Sequence, residues 1–117
     1  MTNPTISFED FKKIEMSLGE ILEAEKIPET DKLLKLKVSF GKKDEVDDIR
    51  QVVSGIATYF GEPTTLIGKK FMFVTNLEPR AIKGFESQAM ILALSNTEGQ
   101  FALLSPTVDI PAGVKAK

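Results

Sequence analysis

A chain of 117 residues, of which 42% are hydrophobic, has the size and composition of a single globular domain. Because it contains neither cysteine nor histidine, disulfides, thiolate chemistry, imidazole bases and most transition-metal sites are excluded. The net charge is −2, yet residues 49–117 carry 7 basic against 5 acidic side chains, whereas residues 1–48 carry 8 against 12. Any nucleic-acid binding is therefore expected to be local and sensitive to salt.

The N-terminal part predicts a tail, a short helix and a long strand. Residues 1–7 have no signal-peptide pattern and predict a flexible tail, and we expect the protein in the cytoplasm. Ser7, with Asp10 three residues later, predicts the start of a short helix. Residues 14–25 predict a strand in which Gly19 marks a bulge or bend.

The clearest strand pattern covers residues 34–40. Its apolar side chains alternate with Lys35, Lys37 and Ser39. This alternation predicts a strand with one buried face and one cationic face. Residues 41–48 then predict a charged connection. Their acidic run favours a solvated loop over a calcium site, because the regular alternation of calcium ligands and a turn glycine are missing.

The second half of the chain predicts further short strands, interrupted by a helix, a loop and a turn. In chain order these are strand 50–56, short helix 57–66, strand 71–75, loop 76–86, strand 90–94, turn 96–99 and strand 101–104. The prolines and glycine of residues 106–117 predict an extended segment. Five or six short strands with one or two brief helices indicate an all-β fold, either a small Greek-key barrel or a sandwich.

The sequence carries no pattern typical of an enzyme. A nucleophile–base pair is not evident, since the usual base is absent, and the glycine motifs that bind phosphate are missing. Glu23 and Glu25 share one face of a strand, but surface decoration is a better interpretation of such a pair than acid–base catalysis. We therefore expect no catalytic site, no metal and no cofactor.

Four segments in a fixed order carry a more specific signal. They are Leu-Gly-Glu-Ile at 18–21, Asp-Lys-Leu-Leu-Lys-Leu at 31–36, Arg-Gln-Val-Val-Ser-Gly-Ile at 50–56, and Asn-Leu-Glu-Pro at 76–79 followed by Gly84, Ser87 and Met90. With these segments the chain resembles the tRNA-binding domain at the C-terminus of many methionyl-tRNA synthetases, in free-standing tRNA-binding proteins and in EMAPII-type proteins. The resemblance covers residues 8–117.

The resemblance implies a five-stranded OB-fold Greek-key barrel with one or two short helices over residues 8–105. It further implies that tRNA is recognised by shape, through phosphate and 2′-hydroxyl contacts rather than base sequence. Carried over by position in the family's motifs, the expected tRNA-binding residues are Lys32, Arg50, Asn76, Arg80, Lys83, Ser87 and Met90.

Several of these residues also have a structural interpretation. Lys32 and Arg50 are consistent with solvated charges at strand ends. Asn76 and Ser87 are consistent with side chains that bond to backbone, and Met90 is consistent with a core residue. The chain also departs from the family pattern, because Ser17 stands where the family usually has arginine.

The same resemblance implies partners. Residues 106–117 are similar to a C-terminal extension that pairs two copies, so we expect a homodimer, which would double a small cationic patch. The first hypothesis for function is a free-standing tRNA-binding protein that assists an aminoacyl-tRNA synthetase. The alternative is a CsaA-type chaperone that binds unfolded polypeptide for export, and a third possibility is a simple dimerisation module.

Overall fold

The computed structural model describes residues 3–117, and Met1 and Thr2 of the predicted tail lie outside the described residues. Short strands dominate, and no helix among the described residues is long and apolar enough to cross a membrane. The elements are α1 (Phe8–Phe11), β1 (Met16–Lys26), β2 (Leu34–Lys43), β3 (Val46–Ser54), β4 (Lys70–Val74), β5 (Arg80–Ile82), β6 (Phe85–Ser87), β7 (Met90–Ile91), β8 (Ala93–Ser95) and β9 (Phe101–Leu103), with 3-10 helices at Ala57–Tyr59 and Pro63–Leu66.

The main sheet is antiparallel and has the strand order β3-β2-β1-β4-β7, while β5–β6 and β8–β9 form separate hairpins. Its two ends approach each other, because the Gln88 amide just before β7 donates to the carbonyl oxygen of Gln51 on β3 at 2.8 Å. The sheet therefore curls into a small barrel. This confirms the predicted all-β, OB-like fold.

The barrel core follows from the alternation along β2. Leu34, Leu36 and Val38 are almost fully buried, whereas Lys37 between them is exposed. Phe73 of β4 is fully buried and meets Phe40 edge to face, with ring centroids 5.3 Å apart. Burial of each such aliphatic or aromatic side chain stabilises the folded state by about 1.5–3 kcal/mol. The buried side chains of β2 and β4 therefore contribute much of the stability of the fold.

The predicted bulge at Gly19 is wrong. The register of β1 against β2 shifts between Ile21 and Glu23. Ile21 pairs with Val38 of β2 and also forms backbone hydrogen bonds with Gly68 and Lys69 before β4. Gly19 lies in regular strand, and a Cβ added there would sit 2.6–2.9 Å from side-chain atoms of the core. Glycine is required at this position by close packing and not by a bend.

The charged connection predicted at residues 41–48 is also wrong, because β2 continues to Lys43 and β3 begins at Val46. Only Asp44 and Glu45 remain as a two-residue turn, with φ angles of 54° and 66°. The acidic run is thus split between a turn and a strand. Within residues 3–117, no group of three or more acidic side chains is arranged to hold a metal ion.

The C-terminal segment is extended, as predicted, and it packs along β1. Leu18 and Val114 are joined by a 2.9 Å backbone hydrogen bond, Gly113 donates to Leu18 at 2.7 Å, and Ala116 donates to Met16 at 2.9 Å. The side chain of Glu15 completes this attachment. Its carboxylate accepts hydrogen bonds from the Thr75 hydroxyl at 2.8 Å and from the Lys115 amine at 3.2 Å. These contacts, that of Thr75 first, lower the pKa of Glu15.

Acid is expected to weaken this attachment. Because the pKa of Glu15 is lower in the folded protein than its usual value of 4.5, the stabilisation is fully present above that pH. It is lost as the pH falls through the folded-state pKa. In urea unfolding at about pH 6 and about pH 3.5, Glu15→Gln should lose less stability between the two pH values than the wild type.

The control for this comparison is Glu62→Gln, since Glu62 makes no ion pair in the part of the chain that the structure describes. It should follow the wild type at both pH values. An equal pH dependence for the wild type and Glu15→Gln would contradict a role for this carboxylate in holding the segment.

Candidate nucleic-acid interface

Residues 76–86, predicted as a loop, contain the hairpin β5–β6. Arg80 pairs with Ser87 and Ile82 pairs with Phe85. Lys83 and Gly84 form the turn, with φ angles of 52° and 84°. Positive φ at both central residues is the geometry of a tight turn whose twist matches that of the strands it joins. The hairpin therefore holds Lys83 at its tip in a defined orientation.

This hairpin is fixed against the free edge of β3 by polar contacts. The Ser87 hydroxyl is buried and accepts a hydrogen bond from the Val53 amide at 3.0 Å. The Gln51 amide donates to the Gln88 side chain at 2.9 Å, and the Gln51 side chain donates to the carbonyl oxygen of Glu86 at 2.9 Å. Ser87 thus holds the hairpin in place from a buried position, in agreement with its structural interpretation.

Two exposed cations stand on this hairpin. Arg80 and Lys83 form no ion pair within residues 3–117. Lys35 of β2 is the third cation nearby, since its amine lies 5.1 Å from the centre of the Phe85 ring. We call the surface formed by Lys35, Arg80, Lys83, Phe85 and Glu86 the hairpin patch. Its charge is positive but small, which suits a moderate affinity for phosphate.

Met90 lies beside the hairpin patch and is not a core residue. It is 44% exposed, and it lines a small cavity of about 60 Å³ together with Arg80, Ser87 and Leu77. A flexible apolar side chain next to a cation offers a surface for a sugar or a base. The structure therefore brings together four of the residues expected from the sequence, namely Arg80, Lys83, Ser87 and Met90.

The side chain of Asn76 is turned away from the hairpin. Its oxygen accepts a hydrogen bond from the Glu15 amide at 2.8 Å, and its nitrogen donates to the carbonyl oxygen of Lys13. Both partners lie in the segment between α1 and β1. Asn76 therefore joins the start of the loop to the N-terminal segment, with both polar groups of its amide engaged.

Arg50 is bound within the barrel end. Its guanidinium donates to both oxygens of Asp48 at 3.0 and 3.1 Å and to the carbonyl oxygen of Thr75 at 2.7 Å. It also lies 5.2 Å from the centre of the Phe40 ring. A bidentate pair of this kind fixes the side chain strongly. The guanidinium of Arg50 is thus already engaged by Asp48 and Thr75, although Arg50 lines a cavity together with Lys35.

Lys32 lies in the turn before β2, and its side chain is exposed. Its carbonyl oxygen accepts a hydrogen bond from the Ala57 amide at 2.8 Å, which ties this turn to the segment after β3. The backbone position of Lys32 is therefore fixed while its amine is free to reach solvent. No hydrogen bond or ion pair joins Lys32 to the hairpin patch within the described residues.

The outer face of β2 carries lysines that were not among the expected site residues. Lys37 pairs with Glu23 at 3.2 Å, and Lys35 pairs with Glu25 at 2.8 Å, each across the β1–β2 ladder. The alternation of residues along β2 predicted this cationic face. That glutamates of β1 lie opposite the lysines is known only from the pairing register of the two strands. The two glutamates therefore screen Lys35, which belongs to the hairpin patch, and Lys37.

Comparison with known sequences identifies relatives. Residues 16–115 match the family described as putative tRNA binding domain. The chain is 48% identical over 110 residues to methionine–tRNA ligase of Caldanaerobacter subterraneus subsp. tengcongensis, which covers 94% of this chain and 16% of that protein. It is also 48% identical over 108 residues to the Flavobacterium johnsoniae ligase, covering 92% of this chain and 14% of that protein. The chain thus spans less than a fifth of these relatives.

Solved structures agree with this assignment. The fold matches a MetRS-related protein from Pyrococcus horikoshii with a TM-score of 0.86 and 36% identity, covering 98% of this chain and 100% of that one. It matches chaperone CsaA from Bacillus anthracis str. Ames with a TM-score of 0.82 and 28% identity, covering 97% and 100%. The resemblance seen in the four sequence segments is confirmed, and the chain belongs to the putative tRNA binding domain family.

Proposed function

We propose that this chain is a non-catalytic tRNA-binding domain that recognises tRNA by shape and assists aminoacylation. The observation that carries the proposal is the rigid hairpin, on which Arg80 and Lys83 stand exposed and without ion pairs among the described residues. Cations carried on a defined backbone contact the phosphates of a folded RNA without reading its bases.

The seven expected residues divide into two roles. Arg80, Lys83, Lys32 and Met90 contact RNA, since their side chains are exposed. Ser87, Asn76 and Arg50 position the backbone that carries them. In support of this second role, the polar groups of all three make hydrogen bonds to other parts of the barrel. Loss of a positioning residue therefore lowers stability as well as binding.

The proposed partners are tRNA, an aminoacyl-tRNA synthetase and a second copy of the chain, in the cytoplasm. Family membership supports the first two. Exposed apolar side chains at Phe8 and Val114 support the homodimer, because such side chains are available for burial against a second copy. The mass of the intact chain in solution tests it. Removing residues 106–117 is a poor test, since it also uncovers an edge of β1.

The proposed function is tested by fluorescence anisotropy with labelled tRNA. We expect saturable binding that folded tRNA displaces and that linear RNA of the same length displaces poorly. The logarithm of affinity should fall with the logarithm of salt concentration with a slope of a few units, which reflects a few phosphate contacts. Absence of binding at moderate salt, or a flat salt dependence, would refute phosphate-based recognition of tRNA.

A second candidate function is a chaperone that binds unfolded polypeptide. The similarity to chaperone CsaA of Bacillus anthracis favours it, because that likeness extends over the whole of both chains. An unfolded polypeptide added to the same titration separates the two functions. Polypeptide binding without tRNA binding would favour the chaperone.

Replacing Glu23 and Glu25 together by glutamine is expected to raise tRNA affinity about five-fold or more. The change frees Lys35 and Lys37, which pair with these carboxylates in the unchanged protein, and the slope of affinity against salt should steepen by about one or more. Exposed ion pairs contribute only about 0–1 kcal/mol, so the fold should survive. Glu29→Gln with Glu62→Gln, which changes the net charge equally, is the control. Equal gains in both double variants would show that net charge alone is responsible.

A further inference from the structure

An open groove lies on another part of the barrel and shares no residue with the hairpin patch. It has a volume of about 1000 Å³ and runs between the two 3-10 helices, β4, β9 and residues 105–109. Its walls include Tyr59, Phe60 and Phe101, with Lys69 just before β4. A groove of this size, with aromatic walls and few charges, has the character of a ligand site.

The aromatic wall is an ordered stack. The rings of Tyr59 and Phe101 are parallel, with centroids 4.0 Å apart and planes 7° apart. Phe60 meets Phe101 edge to face at 5.8 Å, which holds the stack from behind. Phe101 covers only one face of Tyr59, and the tyrosine remains 49% exposed. A flat aromatic surface is therefore open beside the groove.

Of the two lysines that line the groove, one forms no ion pair among the described residues. Lys70 is bound to Asp109 at 2.9 Å and lies opposite Glu20 in the β1–β4 register. Lys69 is exposed and forms no ion pair within residues 3–117. The four charges sum to zero, so the groove does not attract polyanions as a whole. It offers one flat ring and one ammonium group, which suit one base and one phosphate.

We propose that this groove binds an unpaired nucleotide of single-stranded RNA, with its base stacked on the open face of Tyr59 and its phosphate at Lys69. Stacking on an aromatic side chain is tolerant of base identity, because every base has a flat π face. The inference rests on the proposed RNA-binding function and extends it. The hairpin patch holds folded RNA by its phosphates, and the groove holds an unpaired end or loop.

Tyr59 provides its own probe, since it is the only tyrosine in a chain without tryptophan. Titration with a single-stranded oligouridylate, whose bases stack little on one another, should quench its fluorescence saturably, as a base stacks on the ring. One phosphate contact predicts a log–log salt slope of about −0.7 for a single strand. Tyr59→Leu should weaken binding of the labelled oligonucleotide about five-fold or more, whereas Tyr59→Phe should retain it.

Further variants separate this site from the hairpin patch. Lys69→Gln, an exposed change, should weaken oligonucleotide binding and flatten its salt dependence. Arg80→Ala with Lys83→Ala should lose folded tRNA yet keep the oligonucleotide quenching. Quenching retained by the Arg80→Ala, Lys83→Ala variant would support nucleotide binding in the groove. It would do so even if the hairpin patch did not bind tRNA. Absence of quenching, unchanged binding by Lys69→Gln, or displacement of the oligonucleotide by unfolded polypeptide would overturn the assignment to a nucleotide.

Discussion

Replacement of Arg80 and Lys83 together by alanine is expected to weaken tRNA binding roughly thirty-fold at about 0.15 M salt. Each phosphate contact contributes a log–log salt slope of about 0.9, which corresponds to about five-fold in affinity at this salt concentration. Both side chains are exposed and unpaired among the described residues, so their loss should leave the fold intact. Anisotropy titrations over a range of salt concentrations measure both the affinity and the slope, which should fall by about two.

The matched control removes two positive charges elsewhere. Lys12 and Lys13 follow α1, are exposed, and lie outside the hairpin patch. Their double alanine variant should bind tRNA nearly as well as the wild type. If the two double variants bind equally, the hairpin is not the interface, whatever their common affinity.

The second large effect is on stability, since Gly19→Ala is expected to destabilise the barrel by about 1–3 kcal/mol. Glycine to alanine in a strand would otherwise stabilise by about 0.5–1 kcal/mol, because alanine restricts the unfolded chain. At this position the cost of overpacking the core exceeds the gain from restricting the unfolded chain. The new methyl group would lie 2.6 Å from a Val38 methyl carbon and 2.8–2.9 Å from ring carbons of Phe40 and Phe73, all buried.

Thermal unfolding measures this effect. A domain of this size loses roughly 4 °C in Tm for each kcal/mol, so a fall of about 4–12 °C is expected. Gly61→Ala is the control, since a Cβ at that position meets no atom within 4 Å. Its Tm should stay close to that of the wild type. An unchanged Tm for Gly19→Ala would mean that the core relaxes around the added carbon.

Elements encoded by local patterns were predictable from the sequence. The alternation of residues 34–40 fixes which face of β2 is buried, because side chains in a strand alternate strictly between its two faces. The start of α1 was likewise predictable, since the Ser7 hydroxyl accepts a hydrogen bond from the Asp10 amide at 3.0 Å. Each of these features depends on residues a few positions apart.

The hairpin β5–β6 was missed for a local reason. Tight turns of this type favour asparagine or aspartate before glycine, whereas the turn here is Lys83-Gly84. The strands on either side are only three residues long, so their alternation is too brief to stand out. The hydrogen bonds that hold the hairpin come from Gln51 and Val53 of β3, which no short sequence pattern reports.

The roles of the polar residues depended on partners that are distant in sequence. Asn76 binds Glu15 across 61 positions, and Ser87 binds Val53 across 34. The residue types suggested either RNA contact or backbone hydrogen bonds, and only the fold reveals which groups are already engaged. The same holds for Glu23 and Glu25, whose position opposite the lysines of β2 follows from a register that the bulge shifts.

The attachment of residues 113–116 to β1 has a consequence for folding and self-association. Until these residues dock, the amides of Leu18 and its neighbours form an open strand edge, which is a template for pairing with another chain. Glu15 and Lys115 are 100 positions apart, so the edge is covered only after about a hundred further residues have been made. The segment therefore covers an aggregation-prone strand edge at a late stage of synthesis.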